Sequence, residues 1–244
     1  MPTKKPSRTF PYVLKLIKAL FPHYTVKGAL PAGPCLIIGN HAHVHGPLVS
    51  QLYMPKDCYT WCAAEVMHAK EVPRYAQKDF WGDKPRSMRW FYVPLSYLIA
   101  PLSAYLFTNA RTIEVRHDHR SVSAMRSTLQ HLQQGRRVII FPEKAEANNH
   151  ILCQFQKGFV DVARMYRIRT GKSLPFVPMY TAPSLQKVVL GEPIYFNEET
   201  DVDTARAQVC CQLTESITQL ALSLPPHRVT PYKNMPAKDY PISK

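Results

Sequence analysis

The chain has 244 residues, enough for one substantial domain without requiring a second. Apolar residues make up 45% of it, which excludes a globally disordered protein. The 31 Lys and Arg residues outnumber the 17 Asp and Glu residues, for a formal net charge of +14, so the surface attracts phosphate groups. Because no zinc-knuckle spacing, RNP-like aromatic motif or basic zipper accompanies this charge, we expect no nucleic acid and favour an anionic membrane surface as partner.

Six cysteines are spread along the chain, and only Cys58 and Cys62 form a closely spaced pair that a metal site would use. No second such pair follows. The first apolar stretch is interrupted by Lys15 and Lys18, which argues against a secretory signal. We therefore expect reduced thiols in a cytosolic protein.

The N-terminal segment, residues 1–27, is basic and contains a predicted amphipathic helix in "FPYVLKLIKALF". Lys15 and Lys18 lie off its apolar stripe. Such a helix either docks on the core of its own domain or lies in a membrane interface, and the local pattern does not decide between them. The predicted stripe consists of Val13, Leu14, Ile17, Leu20 and Phe21.

A short buried strand is predicted in "GPCLIIGNH", directly before a cluster of histidines. Pro47 suits the first turn of the helix that follows, and Pro55 ends it. The next segment, "YTWCAAEVM", is a strand or a strand that leads into a helix.

Residues 90–107, "WFYVPLSYLIAPLSAYLF", contain no charge over eighteen positions, which meets the lower length limit for a membrane-spanning helix. Pro94 and Pro101 argue against a straight span, because each removes an interior backbone hydrogen bond. The aromatic residues in and before this segment are of the kind enriched at the headgroup level of a bilayer. We therefore predict peripheral contact with a bilayer or an acyl-chain surface, with a buried core helix as the alternative.

Strands and helices alternate along the rest of the chain. Strands are predicted in "RTIEV", "RRVIIFPE", "LPFVPMY" and "LQKVVLGEPIYF", and helices in "RSVSAMRSTLQHLQQG", "FQKGFVDVARMYRIRTG" and residues 202–224. This alternation predicts a single α/β domain over residues 28–230, with a mostly parallel central sheet flanked by helices. Residues 231–244 are predicted to be a C-terminal tail.

Three histidines alternate in "NHAHVHG", at His41, His43 and His45. In an extended segment these side chains share one face and could converge on a metal ion. The spacing is similar to the H-x-H-x-D-H block of metallo-β-lactamase-like hydrolases, with His45 at the aspartate and Gly46 at the last histidine. That fold needs further His and Asp ligands at strand ends, and none of the remaining histidines considered stands in such a context; these are His68, His117, His119, His131 and His150.

The order of the motifs resembles the glycerolipid acyltransferase family, typified by 1-acylglycerol-3-phosphate acyltransferases, over about residues 28–197. Asn40-His41 follows a strand, Arg116 ends another, "IIFPE" ends at Glu143, and "FQKGF", "PFVPMY" and "LGEPI" follow in turn. The resemblance implies transfer of an acyl group from acyl-CoA or acyl-carrier protein to a lysophospholipid hydroxyl, at the cytoplasmic face of the membrane. It implies neither a metal nor a bound cofactor, because the acyl carrier is a consumed substrate.

The resemblance also implies roles for individual residues. His41 is the expected general base, since an imidazole titrates near neutrality, and Asn40 is expected to position its loop. Arg116 is the expected phosphate ligand, because its planar fork can bind two oxygens at once. The turn after the strand, with Phe141, Pro142 and Glu143, is also expected to bind phosphate, and Lys144 is a replacement cation there.

The chain departs from the family pattern in two blocks. Gly46 stands where the family has the aspartate that orients the base. In the FPEG-T-R block, Lys144 replaces the glycine, and the expected T-R is missing from "KAEANN". Three explanations remain open. His43 or His45 orients His41 or takes over as base; or a carboxylate such as Glu143 or Glu65 substitutes for the missing one; or the protein binds lipid without transferring acyl groups.

Overall fold

The computed structural model describes residues 6–82, 85–116, 121–196, 200–232 and 235–244, and ten strands lie within these ranges. Their bounds are β1 Thr25–Lys27, β2 Leu36–Gly39, β3 Cys58–Ala63, β4 Thr112–Val115, β5 Arg137–Ile140, β6 Glu143–Ala147, β7 Cys153–Phe155, β8 Pro175–Ala182, β9 Lys187–Leu190 and β10 Ile194–Tyr195. The main sheet has the order β1-β9-β8-β2-β5-β3-β4, with β10 beside β8, and β6 and β7 form a separate hairpin.

The main sheet is mostly parallel. Strand β2 pairs in parallel with β5 and β8, β3 with β4 and β5, and β1 with β9. Among the described strands of this main sheet, only the pairs β8–β9 and β8–β10 are antiparallel. The carboxyl ends of β2, β3, β4 and β5 therefore meet at one edge of the sheet, and the predicted fold class is confirmed.

Helices cover both faces of this sheet. The α-helices within the described ranges are α1 Phe10–Leu20, α2 His45–Tyr53, α3 Ala64–Met67, α4 Val72–Tyr75, α5 Arg89–Asn109, α6 Ser121–Gln133, α7 Asp161–Thr170 and α8 Val202–Leu222. Alternate residues of β2 point to opposite sides. Leu36 and Ile38 join a core with α6, α7 and α8, whereas Ile37 joins a second core with Tyr24 and with Val49 of α2.

The structure differs from the predicted elements in several places. Residues 25–27 pair with β9, so the sheet begins before the boundary expected after residue 27. The predicted strand over "LQKVVLGEPIYF" is two strands, β9 and β10, and the strand before Glu143 already ends at Ile140. In α1, Val13, Leu14 and Ile17 of the predicted stripe are partly buried, whereas Leu20 is exposed at 79%.

Helix α5 continues through both of its prolines. Pro94 and Pro101 are exposed and lie seven residues apart, on the same side of the helix. The carbonyls that lose their partners belong to Trp90 and Tyr97, which are also exposed. Both lost hydrogen bonds thus fall on the outer face, where the helix continues without them.

The chain returns to the domain after α8. Residues 225–232 and 235–244, here called the C-terminal segment, form two limbs that pair with each other. Val229 N–H donates to the Pro241 carbonyl at 2.9 Å, and Arg228 and Ile242 form an antiparallel bridge. The predicted tail is thus packed along the domain, with Ser243 buried.

Candidate active site

Asn40 anchors the loop that follows β2. Its side chain is buried and pairs with the backbone of Thr181 on β8 in both directions. Thr181 N–H donates to Asn40 Oδ1 at 2.7 Å, and Asn40 Nδ2 donates to the Thr181 carbonyl at 3.0 Å. The side chain thereby acts as an extra rung between β2 and β8, at the point where β2 ends.

The next residues turn sharply. Ala42 and His43 have φ angles of 45° and 54°, in the left-handed region that L-residues seldom occupy. Each such residue costs on the order of 1–3 kcal/mol and persists only when its surroundings hold it. Here the first turn of α2 contacts the loop, because Gly46 N–H donates a hydrogen bond to the His41 carbonyl at 3.0 Å.

Gly46 stands in close contact with the backbone of this loop. A Cβ atom at position 46 would lie 2.6 Å from the His41 carbonyl oxygen, 2.8 Å from the Asn40 carbonyl oxygen and 2.9 Å from Cε1 of Phe141. Two of these neighbours are backbone atoms, which cannot move without shifting β2 or its loop. An aspartate at position 46 is therefore incompatible with this arrangement.

Glu143, the first residue of β6, is hydrogen-bonded to the backbone of the same loop. His41 N–H donates to its Oε2 at 2.6 Å, and Cys153 N–H donates to its Oε1 at 3.0 Å. Burial raises the pKa of Glu143 to about 7, although both hydrogen bonds favour the carboxylate. Glu143 was predicted as a phosphate contact or an orienting carboxylate; the structure instead places both of its oxygens on backbone amides.

The His41 imidazole is half-buried and lies against two aromatic rings. The ring centroids of Phe141 and Tyr232 are 5.6 and 5.5 Å away, at interplanar angles of 71° and 80°. Burial lowers the pKa of His41 to about 4; hydrogen bonding to the His43 backbone opposes this shift, and the charge of His43 adds to it. The imidazole is therefore neutral at pH 7 and able to accept a proton.

The other two histidines point to different partners. His45 Nδ1 lies 3.0 Å from the Tyr24 hydroxyl, and His43 Nδ1 lies 3.4 Å from the Tyr240 hydroxyl. The loop is a tight turn rather than the extended segment that the metal-site hypothesis requires. Within the described ranges, no group of three or more His, Cys, Asp or Glu side chains could hold a metal ion. His117 and His119 lie outside the described residues.

The predicted phosphate ligands have acidic partners. Arg116 follows β4, and its Nε donates to Glu114 at 3.0 Å while its Nη1 lies 3.7 Å from Glu71. Strand β4 is three positions from β2 in the sheet, about 14 Å at the usual spacing of roughly 4.8 Å. Lys144 lies 2.7 Å from Glu146. A phosphate at either cation would therefore lie beside or compete with these carboxylates.

The remaining predicted residues have simpler roles. Phe141 packs on His41, and the carbonyl of the buried Pro142 accepts a hydrogen bond from Gln156 N–H at 2.8 Å. Glu65, a candidate substitute carboxylate, follows β3, and its buried Oε2 makes no hydrogen bond with the described atoms. No bond therefore links it to His41 in this structure.

The loop after β2 thus places His41 at the carboxyl edge of a mostly parallel α/β sheet. A family model described as "Acyltransferase" matches residues 23–182, about two thirds of the chain. The chain therefore belongs to the acyltransferase family, and the family prediction made from the sequence is confirmed.

One solved structure among the matches is the 1-acyl-sn-glycerophosphate (LPA) acyltransferase, PlsC, from Thermotoga maritima. It is similar at 16% sequence identity over 87% of this chain and 82% of that one, with a TM-score of 0.44. No curated protein matches the sequence.

Proposed function

We propose that the protein transfers a fatty acyl group from an acyl thioester to the hydroxyl of a lysophospholipid, such as 1-acylglycerol-3-phosphate. The observation that carries this proposal is the position of His41, which follows β2 at the carboxyl edge of the sheet within the family-matched region. A base of this kind makes an alcohol oxygen nucleophilic near neutral pH. The acyl donor is acyl-CoA or an acyl-carrier protein.

The reaction balances with His41 as the single proton carrier. The acceptor O–H transfers its proton to the imidazole as its oxygen attacks the thioester carbonyl, which gives a tetrahedral oxyanion. Collapse of this oxyanion breaks the carbon–sulfur bond, and the thiolate takes the proton from the imidazolium. The products are an ester and a free thiol, so the proposal requires neither a metal nor a bound cofactor.

The acceptor phosphate would bind at Arg116, with Lys144 as a second cation. Arg116 and its partners Glu114 and Glu71 are partly exposed, so a phosphate can reach the guanidinium from solvent. A bidentate phosphate contact would compete with the hydrogen bond to Glu114 at 3.0 Å and with the longer contact to Glu71 at 3.7 Å. The net charge of +14 attracts such an anion over a longer range.

The outer face of α5 supports action at a membrane. Helices α3 and α4 and the residues after α4 pack against α5. Gln77, two residues after α4, donates its Nε2–H to the buried Ser96 at 2.9 Å, and Ser103 donates to the Val66 carbonyl of α3 at 3.0 Å. Large apolar side chains point outward, with Trp90 and Leu98 exposed at 78% and 76%. Small residues inside and large apolar residues outside are typical of a helix in lipid. By length and composition the helical stretch Arg86–Asn109 could cross a bilayer, which alone is weak evidence.

Helix α1 extends this apolar surface. Thr9 and Phe10 contact Tyr105 of α5, by a 2.7 Å hydroxyl contact and a ring-centroid distance of 6.3 Å. Tyr12 and Leu16 are largely exposed on the side of α1 away from the core. The proposal therefore places α1 and α5 in the interface of an anionic membrane, on its cytoplasmic face.

The double substitution Leu98→Glu and Leu102→Glu is expected to release the protein from anionic vesicles. Both side chains are exposed on α5, so folding does not depend on them. Loss of two leucines from the lipid interface should lower the partition coefficient at least about tenfold. Co-sedimentation with phosphatidylglycerol vesicles measures this change. Ile168→Glu is the matched control, because Ile168 is equally apolar and exposed at 74% on α7; equal loss in this control would contradict the assignment of the membrane surface.

The enzymatic proposal is tested by following thiol release from acyl-CoA with lysophospholipid presented in such vesicles. Thiol release that requires the acceptor, with formation of the diacyl product, is the expected result. The acceptor with its free hydroxyl replaced by hydrogen is the matched control and should give only background release. Lipid that is bound and retained, with no thiol released from either CoA or carrier-protein thioesters, would instead identify a non-catalytic lipid-binding relative.

A further inference from the structure

The C-terminal segment lies beyond the family-matched residues 23–182, yet it reaches the candidate active site. The Tyr232 ring stands 5.5 Å from the His41 imidazole at 80°, and the Tyr240 ring stands 6.0 Å from that of His43 at 78°. One segment thus contacts two of the three histidines. Neither tyrosine belongs to a motif on which the family resemblance depends.

A buried polar network holds this segment in place. His227 is buried; its Nε2 lies 2.9 Å from the Tyr180 hydroxyl of β8, and its Nδ1 lies 2.8 Å from the Ser243 hydroxyl. Ser243 N–H donates to the His227 carbonyl at 3.0 Å. Fully bonded buried networks of this kind specify one arrangement, since each partner lost leaves a buried polar group unpaired. The two limbs that carry Tyr232 and Tyr240 are therefore fixed to the same strand as the anchor of Asn40.

We propose that Tyr232 is a positioning residue for His41, whose ring takes over part of the orienting task that an aspartate performs in the family pattern. The inference rests on the proposed role of His41 as base. Gly46 leaves no room for a carboxylate, and both oxygens of Glu143 are bound to backbone amides. Besides the hydrogen bond to the His43 backbone, the aromatic rings of Phe141 and Tyr232 restrict the imidazole.

Ring contacts can perform this task because the terminal torsion of histidine is soft. Rotation about its χ2 bond has broad minima, so an imidazole without an orienting partner samples several directions. Each edge-to-face aromatic contact contributes about 0.5–1.5 kcal/mol beyond simple burial. The same contacts keep water from the ring, in agreement with the burial that lowers the His41 pKa.

Two measurements on the full chain test this role. In kinetic assays, Tyr232→Ala should lower kcat about tenfold, with KM for the acyl donor within about twofold, because the ring acts on the base rather than on the donor. In an NMR titration of histidine-labelled protein, the same variant should raise the pKa of His41 by about one unit, because water then reaches the imidazole. Tyr232→Phe keeps the ring and should restore most of both properties.

Tyr195→Ala is the matched control, because Tyr195 is exposed at 54% on β10. It should leave both readouts unchanged. An unchanged His41 titration in folded Tyr232→Ala would overturn the proposal, as would equal losses in the Ala and Phe variants. The NMR titration does not require turnover, so it tests the contact between Tyr232 and His41 even if the wild-type protein shows no acyl transfer. Absence of acyl transfer by the wild-type protein would contradict only the proposed enzymatic function.

Discussion

His41→Ala is expected to lower kcat for acyl transfer by about 10²- to 10⁴-fold, the range that a positioned general base contributes. KM for the lysophospholipid should change little, because the proposed phosphate ligands lie at other strands. The imidazole contributes two aromatic contacts, so a modest loss of stability accompanies the substitution. Steady-state thiol release at saturating donor measures the effect.

His150→Ala is the control for loss of an imidazole at an exposed site. His43→Ala and His45→Ala separate the alternatives that the sequence leaves open. We expect both to retain far more activity than His41→Ala, because their ring nitrogens face Tyr240 and Tyr24. Full activity in His41→Ala with loss in His45→Ala would reassign the base.

Gly46→Asp, which introduces the aspartate of the family pattern, is expected to inactivate the protein instead of improving it. The new Cβ would lie within 3 Å of two backbone carbonyls, so the histidine loop or α2 must shift. Overpacking of this kind costs about 1–3 kcal/mol, and displacement of the base by about 1 Å costs roughly 10²-fold in rate. Chemical unfolding and thiol release measure the two effects separately.

Gly46→Ala and Gly158→Ala form a matched pair for this experiment. Each adds one methyl group, but a Cβ at position 158 meets no atom within 4 Å. The first should reproduce most of the destabilisation, whereas the second should not. If Gly46→Asp raised kcat without loss of stability, the close approach described for this loop would be wrong.

The structure contains the predicted elements whose apolar residues follow a clear period. The buried runs that became β2, β5 and β8 and the amphipathic helices α6 and α7 are visible in the sequence, because burial of one stripe or a whole strand leaves a pattern. Strands β1 and β6 have the sequences TVK and EKAEA, which show no such pattern. These two strands form because β9 pairs with the backbone of β1 and β7 pairs with the backbone of β6. Pairing with a distant strand leaves no pattern in the local sequence.

Some residues of the candidate site could likewise be predicted from the sequence, and others could not. Asn40 and His41 were predictable, since they follow a buried strand in a recognisable order. The role of Glu143 was not, because its partners His41 and Cys153 are 102 and 10 residues away and are backbone groups. Tyr232 is more distant still from His41 in sequence, and a tyrosine near a proline carries no signal of its contacts.

The tight packing at Gly46 has a consequence for redesign of this loop. A larger side chain at position 46 and the present turn exclude each other, because the new Cβ would meet the carbonyl oxygens of Asn40 and His41 within 3 Å. A carboxylate can therefore be introduced at position 46 only together with changes that open the loop.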